Sequence, residues 1–311
     1  MDEVQKIQVL VNKNSGAKAY RETVAQIERD NWGFDVEICR TSTLAEVDAV
    51  LFNTTAKTHR ALVVVGGDGT LNHILKHVVE KQIPLGIIPA GTANDLANQL
   101  GVIASWRQLQ ELIIKNEPHA VDLVSVNDKY FATVGGIGLG AQLTLSVNKL
   151  RQKSAVFSSL WKTLGTKAYS FMAAQIALTS KRYLNSVRIK SKDIDVSLAT
   201  SIVLICNQGF LGKDLLVVPH ARNDDNLFEV VVLGKMNRFH LLHSIANTKR
   251  GKDYFKDLRF RTDFCEIESL KGEAMNVFGD GEFLVSAAKL SFRILPNVLK
   301  VYSTRTQGLK V

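Results

Sequence analysis

The chain has 311 residues, of which 46% are hydrophobic and 22% charged, enough apolar material for one large or two modest cores and too much for disorder to be the default. The longest apolar runs, such as Ile202 to Cys206, fall short of the ~18 residues of a membrane span, and the opening MDEVQKIQVLVN lacks the apolar core of a signal peptide, so a cytoplasmic, non-spanning protein is expected. The net charge of +9 is uneven: ten Lys or Arg and no Asp or Glu lie from Lys149 to Lys192, and without that segment the charges nearly balance.

In chain order, the first 120 residues alternate two periods. IQVLV (Ile7 to Val11) runs into the loop NKNSG, and a polar amphipathic stretch follows to about Arg29. FDVEICRT, a helix-like run to Thr58 and ALVVV repeat the scheme. After VVVGGDGT the residues Leu71, Ile74, Leu75, Val78 and Val79 fall at helical spacing. PLGIIPAGTANDLANQLG is again strand, glycine turn and helix. Such alternation predicts parallel strands with right-handed crossovers and a ligand at their C-terminal ends.

From about Val121 strand-like pieces dominate: VDLVSV, YFATVGG, SVRIK, SIVLICN, FEVVVLG, FCEIESL, MNVFG, EFLVSA and LSFRIL. They are interrupted by the basic segment and by NRFHLLHSIANT. A second, mostly antiparallel domain is expected, with the final VLKVYSTRTQG returning to the first. Cys39, Cys206 and Cys265 are odd in number and far apart, which excludes a disulfide framework and paired zinc spacing and leaves them as small core residues. His73 and His77 stand at i, i+4 but flank Ile-Leu-Lys, without the glutamate of a zinc protease.

The glycine pair of VVVGGDGTLN, placed between a buried strand and a helix start, lets backbone amides approach a phosphate. No GxxxxGK[ST] and no HRD kinase signature occur. Asp68 then makes sense if a divalent cation lies between its carboxylate and the phosphates. The plainer reading is an αL turn with Thr70 capping the helix. IIPAGTANDLA follows 25 residues later, one crossover unit, at a neighbouring strand end; helix capping is the plain reading of Asn94 and Asp95. NVFGDGEFLV reads as a hairpin with Asp280 and Gly281 at its turn.

Together GGDGTLN, PAGTANDLA, VDL, GLG and GDGE resemble the diacylglycerol kinase catalytic family of soluble bacterial lipid kinases, related to sphingosine and ceramide kinases, over nearly the whole chain. NAD kinases and phosphofructokinase-like enzymes share GGDGT; PxGTxND and GDGE narrow the resemblance to lipid kinases. It implies α/β plus all-β architecture: a Rossmann-like, NAD-kinase/phosphofructokinase-like nucleotide domain over 1–120 with 296–311, and an antiparallel β-sandwich lipid domain over 121–295. It also implies ATP as donor, magnesium, and a lipid hydroxyl as acceptor, first of all that of diacylglycerol, giving phosphatidic acid. Sphingoid bases, phosphatidylglycerol and NAD are the rival acceptors, and a non-catalytic lipid-binding regulator is the rival from another class.

By the same resemblance the nucleotide contacts Asn12, Asn14, Ser15, Gly16, Thr41, Gly66, Gly67, Asp68, Gly69, Thr70, Thr92 and Asn94. Asp68, Asp95 and Asp122 organise magnesium and water, and Glu282 is the general base. In some members a structural magnesium is held at the segment matching VVPHARNDDNLFEV. Mapped here it takes Asp225 and the carbonyls of Arg222 and Leu227, but His220 replaces the usual aspartate and Asn226 the usual glycine. The segment 149–192 interleaves Phe157, Leu160, Trp161, Leu164, Tyr169, Phe171, Met172 and Ile176 with its cations, which suits peripheral contact with an anionic membrane; no motif supports nucleic acid binding. A solvated helical face is its plain reading. The sequence leaves the oligomeric state, including a homodimer, open.

Overall fold

The computed structural model describes residues 6–14, 19–30, 33–91, 94–102, 106–142, 144–146, 184–211, 215–234 and 258–303. The chain divides into two compact units, Met1–Val121 with Asn297–Val311, and Asp122–Pro296. Among the described residues no helix is long and apolar enough to cross a membrane. NRFHLLHSIANT and most of the basic segment, with the aromatic residues that suggested membrane contact, lie outside the described residues.

The first unit runs β1 (Lys6–Asn12), α1 (Ala19–Arg29), β2 (Asp35–Thr41), α2 (Leu44–Asn53), β3 (His59–Gly66), α3 (Asp68–Glu80), β4 (Leu85–Pro89), α4 (Asp95–Gln99) and α5 (Trp106–Lys115). Its strands are parallel in the order β2-β1-β3-β4. Ile7, Val9, Val11 and Ala61 to Val65 are buried because helices cover both faces, which is why these strands read as unbroken apolar runs. The expected stripe of α3 is buried at Leu71, Ile74, Leu75, Val78 and Val79. Helix α5, not anticipated from the sequence, buries Trp106, Leu109 and Ile113.

The second unit continues with β5 (His119–Val126), β6 (Lys129–Phe131), β7 (Val134–Gly138), β8 (Asn185–Lys190), β9 (Asp195–Thr200), β10 (Ile202–Cys206), β11 (Phe210–Leu211), β12 (Leu215–Leu216) and β13 (Phe228–Leu233). Then follow β14 (Leu258–Thr262), β15 (Phe264–Ser269), β16 (Met275–Gly279), β17 (Glu282–Ala287) and β18 (Lys289–Val301). A six-stranded layer, β14-β13-β10-β7-β16-β17, faces a layer formed by β18, β15, β8 and β9. Ile137, Val203, Ile205, Val230, Val232 and Val277 from one layer meet Val187, Ile189, Cys265, Ile267, Leu290 and Phe292 from the other, an antiparallel sandwich core. Cys206 and Cys265 are buried, as expected, and burial raises both thiol pKa values, but Cys39, expected in the core as well, is only half-buried on β2.

Spatial neighbours change the meaning of one charge run. On β8, Arg188 makes a bidentate pair with Asp195 at 2.7 Å, and Lys190 lies opposite Asp195 and Glu266. The part of the basic segment that forms a strand is therefore acid-free in sequence but flanked by acids in the sheet.

β18 starts in the second unit and ends in the first, where Val301 pairs in parallel with Leu85. Tyr302 is fully buried against Val65, Leu109 and their neighbours, and its hydroxyl donates to Asn116 Oδ1 at 3.1 Å. Burial raises its pKa to about 12, with Arg60 opposing. The neutral phenol is thus favoured in the folded state, so its contribution is full below the unfolded pKa of 10.0 and lost as pH rises towards about 12. Denaturant titrations should show stability falling across that alkaline window, less steeply in Tyr302→Phe. Tyr302→Ala should cost about 3–5 kcal/mol at neutral pH.

Candidate active site

The phosphate-loop candidate starts where β3 ends. Gly67 is the N-cap of α3 with φ −108° and ψ −175°, so this is an extended entry and not the αL turn considered from sequence. Thr70 does not cap the helix. Its Oγ1 instead accepts from Asn12 Nδ2 at 2.8 Å, tying the end of β1 to the first turn of α3. Asn12 Oδ1 accepts the Asn14 N–H at 2.9 Å, and Asn14 Nδ2 donates to the Ser42 carbonyl at 2.7 Å. Thr41 is buried; its carbonyl accepts the Lys13 N–H at 2.9 Å, so it holds the NKN turn from β2.

The two glycine loops abut through their backbones. The Ala90 N–H donates to the Gly66 carbonyl at 2.9 Å, and a Cβ on Gly67 would lie 2.9 Å from the Gly91 Cα. A Cβ on Gly91 would lie 2.7 Å from the Gly67 Cα and 2.8 Å from Asn94 Oδ1. Asn94 adopts αL (φ 54°) and spends its amide within the loop, accepting from the Gly91 N–H at 2.8 Å and donating to the Gly91 carbonyl at 3.0 Å. It stands at the N-cap of α4 yet makes no side-chain cap. The cap comes from the other loop: Asp68 Oδ1 accepts the Leu96 N–H at 3.1 Å.

Asp68 therefore has a structural partner, the first turn of α4. Asp95 opens α4, but its side chain, like Ser15, Gly16 and Thr92, lies outside the described residues. Asp68 and Asp95 belong to the first unit, Asp122 and Glu282 to the second.

In the second unit the expected hairpin is present, with Asp280 (φ 52°) and Gly281 (φ 78°) both left-handed and Glu282 opposite Gly279. Asp280 does more than turn the chain. Its carboxylate accepts the Ala132 N–H at 2.9 Å, the Thr133 N–H at 2.8 Å and the Thr133 hydroxyl at 2.6 Å. These bonds divert Ala132 and Thr133 from the ladder, so YFATVGG is two strands instead of one. Sequence reasoning missed this buried clamp because Asp-Gly already had a sufficient explanation as a turn.

Asp122 is fully buried, accepting the Asn226 N–H on Oδ2 at 2.7 Å. Asn207, also missed, is buried beside it and donates through Nδ2 to the carbonyls of Asp122 and Ala132 at 2.8 and 2.9 Å. Asn207 thus joins the strand carrying Asp122 to the segment clamped by Asp280, the first residue of the turn to Glu282.

The residues expected to hold a structural magnesium are already engaged with one another and with β14. Asp225 Oδ1 accepts the Leu227 N–H at 3.2 Å and Oδ2 pairs with Arg261. Both carboxylate oxygens of Asp225 thus have protein partners.

The chain thus joins a parallel α/β sheet, with two abutting glycine loops at its strand ends, to an antiparallel sandwich. Residues 6–126 match the model of the diacylglycerol kinase catalytic domain, and residues 147–303, half of the chain, that of the YegS C-terminal NAD kinase beta sandwich-like domain. A protein of Pseudomonas savastanoi pv. phaseolicola named "Probable lipid kinase YegS-like" is 29% identical over 302 residues, 94% of this chain and 92% of its own. A diacylglycerol kinase of Staphylococcus saprophyticus is 25% identical over 290 residues, 90% of this chain and 89% of its own. A crystal structure of a diacylglycerol kinase from Bacillus anthracis shares the fold with a TM-score of 0.68 at 18% identity, covering 98% of each chain. The chain belongs to the diacylglycerol kinase catalytic-domain family, and it is a lipid kinase.

Gly67→Ala must push the loops apart and should cost about 1–3 kcal/mol of stability in denaturant titration. Asp68→Ala should cost about 1 kcal/mol through loss of the Leu96 cap, whereas Asp68→Asn, which still offers an acceptor, should keep the stability and lose turnover.

Proposed function

We propose that this lipid kinase transfers the γ-phosphate of ATP to the hydroxyl of a membrane lipid, with diacylglycerol as acceptor and phosphatidic acid as product. The observation that carries the donor half is the contact of Gly67 with Gly91, which lets backbone amides reach phosphates with no side chain in the way. The Asn12, Asn14 and Thr41 tie supports the same edge of the sheet. Magnesium bound with the nucleotide would be met by Asp68 Oδ2, and it supplies charge neutralisation of the transferring group. Asp95, on the same unit, is proposed for the water shell of that ion.

For the acceptor half, Glu282 takes the proton of the lipid hydroxyl as that oxygen bonds to the γ-phosphorus and the bond to the leaving ADP breaks. What supports Glu282 is its fixed place: it follows a turn whose Asp280 carboxylate is held by three donors. Diacylglycerol is favoured by the names of the Staphylococcus saprophyticus and Mycobacterium tuberculosis relatives.

The test is phosphorylation of a total lipid extract, purified diacylglycerol, phosphatidylglycerol, sphingosine and NAD under labelled ATP, with products identified by mass. Phosphatidic acid as the main product supports the reading; a labelled product from another acceptor only would replace diacylglycerol. Glu282→Gln should lower kcat by about 10²- to 10⁴-fold while nucleotide binding and thermal midpoint stay unchanged. Near-normal turnover in that variant removes Glu282 from the role.

A further inference from the structure

We propose that Arg261, assisted by Arg259, performs in this chain the turn-organising role of a structural divalent cation, so the second unit is held by guanidinium groups and its stability does not depend on magnesium. The relevant acids are Asp224, Asp225 and Glu229, on and after the turn that leads into β13. Each faces an arginine. Arg222 binds Asp224 through Nε and Nη2 at 2.8 and 3.1 Å. Arg261 binds Asp225 with Nη2 and Glu229 with Nε, the latter at 3.2 Å, and Arg259 Nε lies 3.4 Å from the other oxygen of Glu229.

The sheet makes this arrangement possible. β13 and β14 are antiparallel with Glu229 opposite Arg261 and Val231 opposite Arg259, so both arginines project on the face that carries Glu229. That face is otherwise apolar, with Val231, Leu233, Leu204 and Cys206 buried on it. Glu229 itself is 5% exposed, so its charge needs a permanent partner. A guanidinium suits two carboxylates at once because its donors form a fixed planar fork, and it needs no dehydration of a hard cation.

The consequence reaches Asp122. With Asp225 pinned by Arg261 and by the Leu227 N–H, Asn226 is held in αL at φ 63° and its N–H meets Asp122 Oδ2. Arg261 is thus a positioning residue for Asp122, acting through the turn. A divalent cation at Asp225 would have to displace a guanidinium already between two carboxylates, against the repulsion of like charges.

The experiment needs neither nucleotide nor lipid, so its failure is separate from failure of the proposed reaction. Thermal midpoints of the full chain and of Asp225→Asn are measured in EDTA and in excess magnesium chloride. The expected result is the same response to magnesium in both proteins. A rise in the wild type that Asp225→Asn abolishes would put a metal at Asp225 and overturn the proposal. Arg261→Gln should lower the midpoint by several degrees, leaving two carboxylates unneutralised, and should acquire a stabilising response to magnesium. Arg261→Lys, which keeps the charge without the fork, should fall between. An unchanged midpoint in Arg261→Gln, with no new response to magnesium, would also overturn it. If Arg261→Gln does not fold, the comparison of wild type with Asp225→Asn decides alone.

Discussion

The contact between Gly67 and Gly91 is the constraint from which the rest of the first unit's site follows. Two loops at neighbouring strand ends can meet backbone to backbone only if neither carries a Cβ at the meeting point, since either one would come within 2.9 Å of the opposing Cα. Closing the second loop uses the Asn94 amide on Gly91, so the residue at the N-cap of α4 has no oxygen for its own helix. The carboxylate of Asp68 then caps α4 from across the contact. Asp68 is thus required twice over, for the geometry of the second loop and for the charge the proposed transfer needs. An aspartate between the glycines of this loop is explained by its neighbour before any metal is invoked.

The second unit solves a different problem with similar means. Asp280, Asp122 and Glu229 are buried carboxylates in or beside an apolar sandwich, and an unsatisfied charge there is costly. Asp280 is satisfied by backbone N–H groups and a hydroxyl, Asp122 by the N–H of a left-handed asparagine, and Glu229 by two arginines. Asn207 links the first two through paired carbonyls. The turn before Glu282 is consequently anchored on strands distant in sequence, which is a precondition for the role proposed for Glu282.

The alternation of apolar strands, glycine turns and amphipathic helices was enough to read the α/β unit, because each period reports one buried face. The stripe of α3 and the burial of β1 and β3 follow directly from it. Strands β9 and β14 were less legible because each is short and apolar only at alternate positions, whereas helix α5 was missed although Trp106, Leu109 and Ile113 stand at helical spacing. Arg188 and Lys190 looked like part of a basic patch, but Asp195 and Glu266 flank them in the sheet. Sequence spacing cannot show which acids lie across a strand pair.

The sequence by itself determined the family, the strand-helix grammar, the two glycine loops and the Asp-Gly hairpin, since all of these depend on local backbone preferences and short spacings. Tertiary structure alone decided what the polar side chains do. Asn94 closes a loop instead of capping, Asp68 caps a helix 28 residues on, Asp280 clamps Ala132 and Thr133, and Arg261 neutralises Asp225 and Glu229. Hydrogen-bond and charge partners are chosen by proximity in the folded sheet, and strand pairing brings together residues whose separation along the chain carries no periodic trace.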